Sequence, residues 1–235
     1  MNRRASPIEW SDEQLASFWG YYAEERQEDF FTRLFGDRIL ALTQRFYGAD
    51  ALVCDYGCGS GFLLEKLLRT HRAAACDFSE ANLGEVRRRL GSHPNLAEVF
   101  PVGRAPAGLR CDVAYVVETV EHVLPRHEEQ FFANLGAVLR PGGMVIATTP
   151  HAEDLDASTV YCPGCRHEFH RWQHVRSFDA AGLAGFFGAR GFRQVASFTT
   201  DFAAAGAWPR FKARLRPLLG RSNPHLVYVG SKQGG

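Results

Sequence analysis

The stretch Asp55-Tyr56-Gly57-Cys58-Gly59-Ser60-Gly61 is the one best suited to hold a ligand against the backbone. Three alternate glycines permit backbone angles closed to other residues and let a bound molecule approach the main-chain N–H groups. Asp77 follows Asp55 by 22 residues, at the end of an apolar run. There a carboxylate can accept hydrogen bonds from both hydroxyls of a ribose. Together they describe a nucleotide-like ligand, and the glycine spacing narrows it. A dinucleotide fingerprint, Gly-x-Gly-x-x-Gly or Ala, needs a small residue where this chain has Phe62. A nicotinamide oxidoreductase is thus the weaker reading, and a glycine turn without a ligand is the bland one.

Cys162-Pro163-Gly164-Cys165, followed by His167, His170 and His174, is the second group. Cys-x2-Cys with His-x3-His has zinc-ligand spacing, and the Pro-Gly turn lets both thiolates converge on one ion. Cys162, Cys165, His170 and His174 are expected to clasp a structural zinc. The alternative is a reduced, metal-free pair in a loop held by Phe169 and Trp172. A redox pair would need a helix N-terminus after the first cysteine, which Pro163-Gly164 does not suggest. The third group is Glu118-Thr119-Val120-Glu121-His122, after one apolar run, with His151 directly after another.

Elements must position these groups. Ser11-Asp12-Glu13-Gln14 has the form of a helix capping box, opening a helix with Leu15, Phe18, Trp19 and Tyr22 on one stripe. A second helical stretch is expected to pause at Gly36-Asp37. Short apolar runs then alternate with helical patterns, as in βαβ units, with strands expected at 52–55, 73–77, 97–100, 113–117 and 144–148. Two more, at 192–198 and 226–229, can pair antiparallel. The fold class is α/β, the first five strands with their crossover helices making a doubly wound sheet after an N-terminal helical extension. One domain over 1–235 is expected, with a helical lid (1–49), a ligand-binding core (50–150), a Cys/His-rich insertion (151–177) and the C-terminal part of the sheet (178–235).

Composition agrees. The 235 residues are 46% hydrophobic and 23% charged, which excludes disorder, collagen-like repeats and coiled coil. A net charge of +1 lacks the field of a dedicated nucleic-acid binder. No signal-peptide pattern or apolar stretch of about 20 residues occurs. Four of the six cysteines lie in apolar or glycine-rich segments, so a reducing, cytoplasmic setting is expected rather than a secreted disulfide framework. Charge is uneven: residues 9–29 hold seven acids and one base, whereas 202–235 hold six bases and no acid. Solvated helix faces explain this in most proteins; otherwise Arg210, Lys212, Arg214 and Arg216 would favour an anionic partner.

The segment from Leu52 to about Thr149 resembles a class I S-adenosylmethionine-dependent methyltransferase. Asp55, Gly57, Gly59 and Gly61 match the first motif and Asp77 the acidic ribose contact. Asp112 to Glu118 matches the fourth strand, and Leu139-Arg140-Pro141-Gly142-Gly143 the turn into the fifth. The resemblance implies a Rossmann-like, seven-stranded, mostly parallel sheet with its last strand antiparallel, and S-adenosylmethionine as cofactor, with Asp55, Tyr56, Gly57, Cys58, Gly59, Asp77, Phe78 and Glu118 around it. Phe100-Pro101-Val102-Gly103-Arg104 lacks the usual acidic residue beside the adenine, leaving backbone groups and apolar stacking to hold the base. Methyl transfer to a hydroxyl needs alignment and a proton acceptor, roles that fall to Glu121, His122 and His151. Glu-x-x-Glu-His also resembles the divalent-metal motif of ubiquinone-pathway O-methyltransferases and of small-RNA 3′-terminal methyltransferases, which implies a cation at Glu118, Glu121 and His122. The function implied is O-methylation of a small-molecule or glycan-type acceptor. The rivals are a noncatalytic S-adenosylmethionine-binding module and metal-assisted methylation of a diol or an RNA 3′ end.

Overall fold

Ser11 and Gln14 form the reciprocal pair their spacing predicts. The Ser11 hydroxyl accepts from the Gln14 N–H at 3.2 Å and the Gln14 side chain from the Ser11 N–H at 2.9 Å, so two donors at the helix start are satisfied. The computed structural model describes residues 6–204 and 223–234. The basic run Arg210 to Arg216, with Arg221, lies outside the described residues. Strand β1 (Ser6–Pro7) precedes helix α1 (Asp12–Glu25). Helix α2 (Phe31–Thr43) runs without the pause expected at Gly36-Asp37. A Cβ at Gly36 would stand 2.7 Å from the Lys66 Cδ, so the glycine admits the lysine stem rather than breaking the helix.

The short apolar runs become buried strands. In chain order they are β2 (Val53–Tyr56), β3 (Ala73–Asp77), β4 (Leu96–Pro101), β5 (Cys111–Val117) and β6 (Leu139–Pro150). Strands β7 (Thr159–Tyr161) and β8 (His167–His170) form a hairpin, and β9 (Phe192–Thr200) and β10 (His225–Lys232) follow. The main sheet has the order β4-β3-β2-β5-β6-β10-β9. Only β10 runs against its neighbours, β6 and β9. This is the Rossmann-like arrangement that the alternating pattern and the family resemblance together imply.

Side chains alternate across a strand, and both faces are buried. Val53, Ala73, Ala75, Val113 and Tyr115 meet α2, α3 (Phe62–Leu67) and α4 (Glu80–Leu90) on one side. Cys54, Tyr56, Ala74, Cys76, Ala114 and Val116 meet α5 (Glu128–Val138) and α6 (Ala180–Gly188) on the other. Each fully buried valine or leucine adds roughly 1.5–3 kcal/mol. Among the described residues no helix is long and apolar enough to cross a membrane.

The segment after β6 builds a second, three-stranded sheet in the order β1-β8-β7. The hairpin carries Cys162 and Cys165 at its turn, with the Cys162 N–H on the His167 carbonyl at 2.9 Å. Trp10 packs edge-on to both Phe18 and Phe169 at 5.5 Å, and Arg126 pairs with Asp12 at 2.6 Å. These contacts hold α1 and the insertion together above the carboxyl ends of β5 and β6.

Asp55 is 2% exposed and accepts one hydrogen bond, from the Leu64 N–H at 2.9 Å. Burial, with Asp77 nearby, pushes its pKa up to about 7. A carboxyl raised above the unfolded value of about 3.9 binds more protons folded than unfolded, so its burial costs stability as pH climbs through that window. Asp55→Asn keeps an acceptor for Leu64 and removes the charge. The ligand-free variant is expected to exceed wild type by roughly 1–3 kcal/mol at pH 8, with the gap shrinking to about a quarter of that by pH 4.5, as read by urea unfolding. A pH-independent gap would remove this account.

Candidate active site

The glycine turn is shaped by hydrogen bonds to the end of β3. The Gly57 and Cys58 N–H groups both donate to the Cys76 carbonyl, at 2.7 and 3.0 Å. Gly57 has φ +86°, and a Cβ there would lie 2.8 Å from the Thr119 hydroxyl, so neither backbone nor space admits another residue. Asp77, 3% exposed, braces the turn from below. Its Oδ2 accepts from the Gly59 N–H at 2.8 Å, and its Oδ1 from the Ser79 N–H at 2.9 Å and the Asn82 amide at 3.2 Å. Burial pushes the Asp77 pKa up against the pull of these donors. A carboxylate has about four acceptor positions, and Oδ2 takes one of these three donors where Oδ1 takes two.

A cavity of 490 Å³ starts at this turn, where Gly57, Cys58, Gly59, Asp77, Phe78 and Asn82 line it. Its other end is bounded by Trp19 and Tyr22 of α1, Glu118 and His122 after β5, and Glu153, Trp172 and His174 of the insertion. Phe30, Phe31 and His225 complete the wall. Its volume is typical of small-molecule sites.

The polar groups at this end are interlocked. Glu118 sits at φ +45°, turning the chain out of β5, and its Oε1 accepts from the Thr148 hydroxyl at 2.7 Å. Burial raises its pKa to about 8. Glu121, fully buried, is pushed well above the carboxylate range by burial and by Glu118. His122 Nδ1 faces the Gln173 carbonyl at 3.5 Å, and Trp19 packs on the ring at 4.8 Å. Burial, then His174, holds its pKa well below 6.5, so the imidazole is neutral. His174 Nδ1 lies 2.5 Å from Glu153 Oε2, and its ring stacks on His170 at 4.3 Å. Gln173 joins the two halves: its Oε1 accepts from the Trp19 indole at 3.1 Å and its Nε2 donates to the His122 carbonyl at 3.1 Å.

A sequence profile described as a methyltransferase domain matches residues 22–197. The chain belongs to the methyltransferase domain family. It is 30% identical over 158 residues to a probable S-adenosylmethionine-dependent methyltransferase of Mycolicibacterium smegmatis, covering 64% of this chain and 54% of that protein. The chain thus spans about half the length of that relative. Among solved structures, the 1,6-didemethyltoxoflavin N1-methyltransferase of Burkholderia thailandensis, with 1,6-didemethyltoxoflavin and S-adenosylhomocysteine bound, superposes with TM-score 0.69 at 21% identity, covering 97% of this chain and 93% of that one. A chain from the complex of the Haloferax volcanii Trm112 methyltransferase activator with a putative methyltransferase gives TM-score 0.65 at 18% identity, covering 92% and 98%. These likenesses, all under a quarter identical, establish a shared fold.

The methyltransferase cradle suits S-adenosylmethionine: a glycine turn that a Cβ would fill, the Asp77 carboxylate, and Phe78, 53% exposed, as an apolar surface beside it. Of the residues expected at the donor, Asp55 and Tyr56 do not line the cavity. Asp55 lies beneath the turn on the Leu64 N–H, and the Tyr56 hydroxyl donates to the Phe131 carbonyl at 3.0 Å on the α5 face. Both are strand residues whose alternation points them into the core. His151 is also outside the lining: its Nδ1 lies 3.3 Å from the Asn223 carbonyl. Ala152, at φ +49°, turns the chain so that Glu153 faces the cavity instead.

The metal expectations divide similarly. Among the described residues, ligand atoms converge in two sets, Glu121–His122–His174 and Glu153–His170–His174. Glu118 joins neither, being held on Thr148. Cys162 and Cys165 join neither, because His170 lies three residues along β8 from the position paired at the turn, about 10 Å away. The Cys165 N–H and thiol, then the Gly164 N–H, pull the pKa of the half-buried Cys162 thiol down. Glu153, His225 and Asn82 carried no spacing signal in the sequence.

Asp77→Ala is expected to lose a charge-assisted contact and the Gly59 brace, weakening S-adenosylhomocysteine binding about 10- to 100-fold by calorimetry. Unchanged affinity would remove the ribose assignment. Gly57→Ala, forced into a left-handed conformation costing roughly 1–2 kcal/mol and against Thr119, is expected to lower both thermal stability and affinity for the same ligand.

Proposed function

We propose that the protein transfers the methyl group of S-adenosylmethionine to an oxygen of a small-molecule acceptor. The observation that carries this is one continuous cavity, with the glycine turn and Asp77 at one end and His122, His174 and Glu118 among aromatic walls at the other. Bound S-adenosylmethionine supplies an electrophilic methyl on a sulfonium. Gly57, Gly59 and Asp77 hold and orient the donor. Trp19, Tyr22 and Trp172 give an acceptor flat apolar surfaces, and the neighbour holding 1,6-didemethyltoxoflavin supports a small molecule.

An acceptor hydroxyl must shed its proton as it attacks. His122 Nδ1 faces the Gln173 carbonyl and burial keeps the ring neutral, so one ring nitrogen carries the hydrogen and the other keeps a lone pair. Neutral His122 is therefore in the state required of a proton acceptor. Glu118 with its raised pKa sits on the same wall, and the aromatic enclosure limits competing water.

The test screens hydroxylated and amino-bearing aromatic compounds for methyl transfer, with His122→Ala beside wild type. Wild type is expected to methylate a hydroxyl compound. His122→Ala is expected to lower kcat about 10²- to 10⁴-fold while S-adenosylhomocysteine affinity stays within about threefold. Methylation of amines alone would overturn the oxygen assignment. Donor binding with no turnover on any acceptor would favour the noncatalytic module.

A further inference from the structure

We propose that Cys162 and Cys165 form half of a zinc site, which two copies of this chain complete with four thiolates at the tips of their β7–β8 hairpins. The turn that carries the pair is closed on itself. The Cys162 N–H donates to the His167 carbonyl at 2.9 Å, and the Arg166 N–H returns to the Cys162 carbonyl at 2.7 Å. Arg166 takes φ +63°, a left-handed conformation that turns the chain back into β8 directly after the second cysteine. The Cys162 sulfur lies over the middle of the loop, where a Cβ on Gly164 would stand 3.7 Å from it. The Cys165 N–H, the Cys165 thiol and the Gly164 N–H all face that sulfur. Main-chain donors beside a sulfur favour the thiolate, the form that binds a metal, and the two thiols already converge.

Two sulfurs do not complete the shell, because structural zinc takes four ligands. Among the described residues no third Cys, His, Asp or Glu brings a ligand atom to this pair. Residues 1–5, 205–222 and 235 contain none of these four types, so a single chain offers the ion two thiolates. The remaining two must come from outside it.

The surroundings favour a second copy of the same tip. Cys162 is half-buried and Cys165 exposed, and neither lines the cavity. Strand β7 is the outer strand of the small sheet, bonded to β8 on one side only. Beside the cysteines it exposes Val160 and Tyr161, at 39% and 52%, and an open strand edge with apolar side chains is a surface that association covers. A two-fold axis sets the same patch against itself, bringing two thiolates from each side. Four thiolates on Zn²⁺ leave a charge of −2. Residues 159–167 hold Arg166 and no Asp or Glu, so one arginine from each copy balances that charge. A bridge here would also link the two covers, since β8 carries Phe169 against Trp10.

The test is sedimentation of the reduced full chain with zinc chloride and again after chelator, together with elemental analysis and with thermal unfolding as the check on the fold. Wild type is expected to dimerise with zinc and to return to monomer with chelator. Cys162→Ser/Cys165→Ser, at an exposed turn, should unfold like wild type, lose half a zinc per chain and weaken the dimer about tenfold or more. Loss of a whole zinc per chain from a protein that stays monomeric overturns the shared site, and the same loss in His167→Ala would identify the residue that completes it within one chain. Zinc content unchanged by the double substitution overturns the proposal, as does a dimer that persists in the variant or after chelation.

Discussion

The Asp77 carboxylate ties together three parts of the molecule. It ends β3, and through the Gly59, Ser79 and Asn82 donors it fixes the glycine turn, the start of α4 and the floor of the cavity at once. The arrangement is costly, because Asp77 is buried near Asp55 and burial opposes the charge of both. Three N–H donors offset part of that cost.

The acceptor end is organised differently. No single strand end defines it; residues about 150 positions apart meet across Gln173, which joins Trp19 of α1 to His122 after β5. The hairpin β7–β8 contributes through packing, with β1 added to its edge and Trp10 wedged between Phe18 and Phe169. α1, β1 and the insertion therefore act as one cover, and a change in any of them displaces the walls of the cavity together.

The sheet and the glycine turn were legible because local rules decide them. Apolar runs with period two give strands, and Gly57 stands where a Cβ would strike Thr119. The same period could have placed Asp55 and Tyr56 inside the core, yet motif resemblance alone puts them on the ligand. The acceptor end resisted reading for physical reasons. Ala152 adopts a left-handed backbone that exchanges His151 for Glu153, and nothing in its side chain announces that. The spacing of Cys162, Cys165, His170 and His174 fits zinc on paper. Strand rise along β8 separates the pairs, and cross-chain packing then sets His174 against His122. Gly36 shows the converse error, where a residue that breaks helices in isolation serves as a notch for Lys66.

Strand β10 lies between β6 and β9 although it is the last of the described strands, and among the described residues β9 has no other neighbour in the main sheet. During synthesis the parallel core β2 to β6 can form early, while β9 waits unpaired until the chain beyond it has emerged. His225, the first residue of β10, also lines the cavity. Completion of the sheet and completion of the pocket are thus one late event, so a chain that stalls before β10 docks would exist as a folded core with an open apolar edge and an unfinished wall.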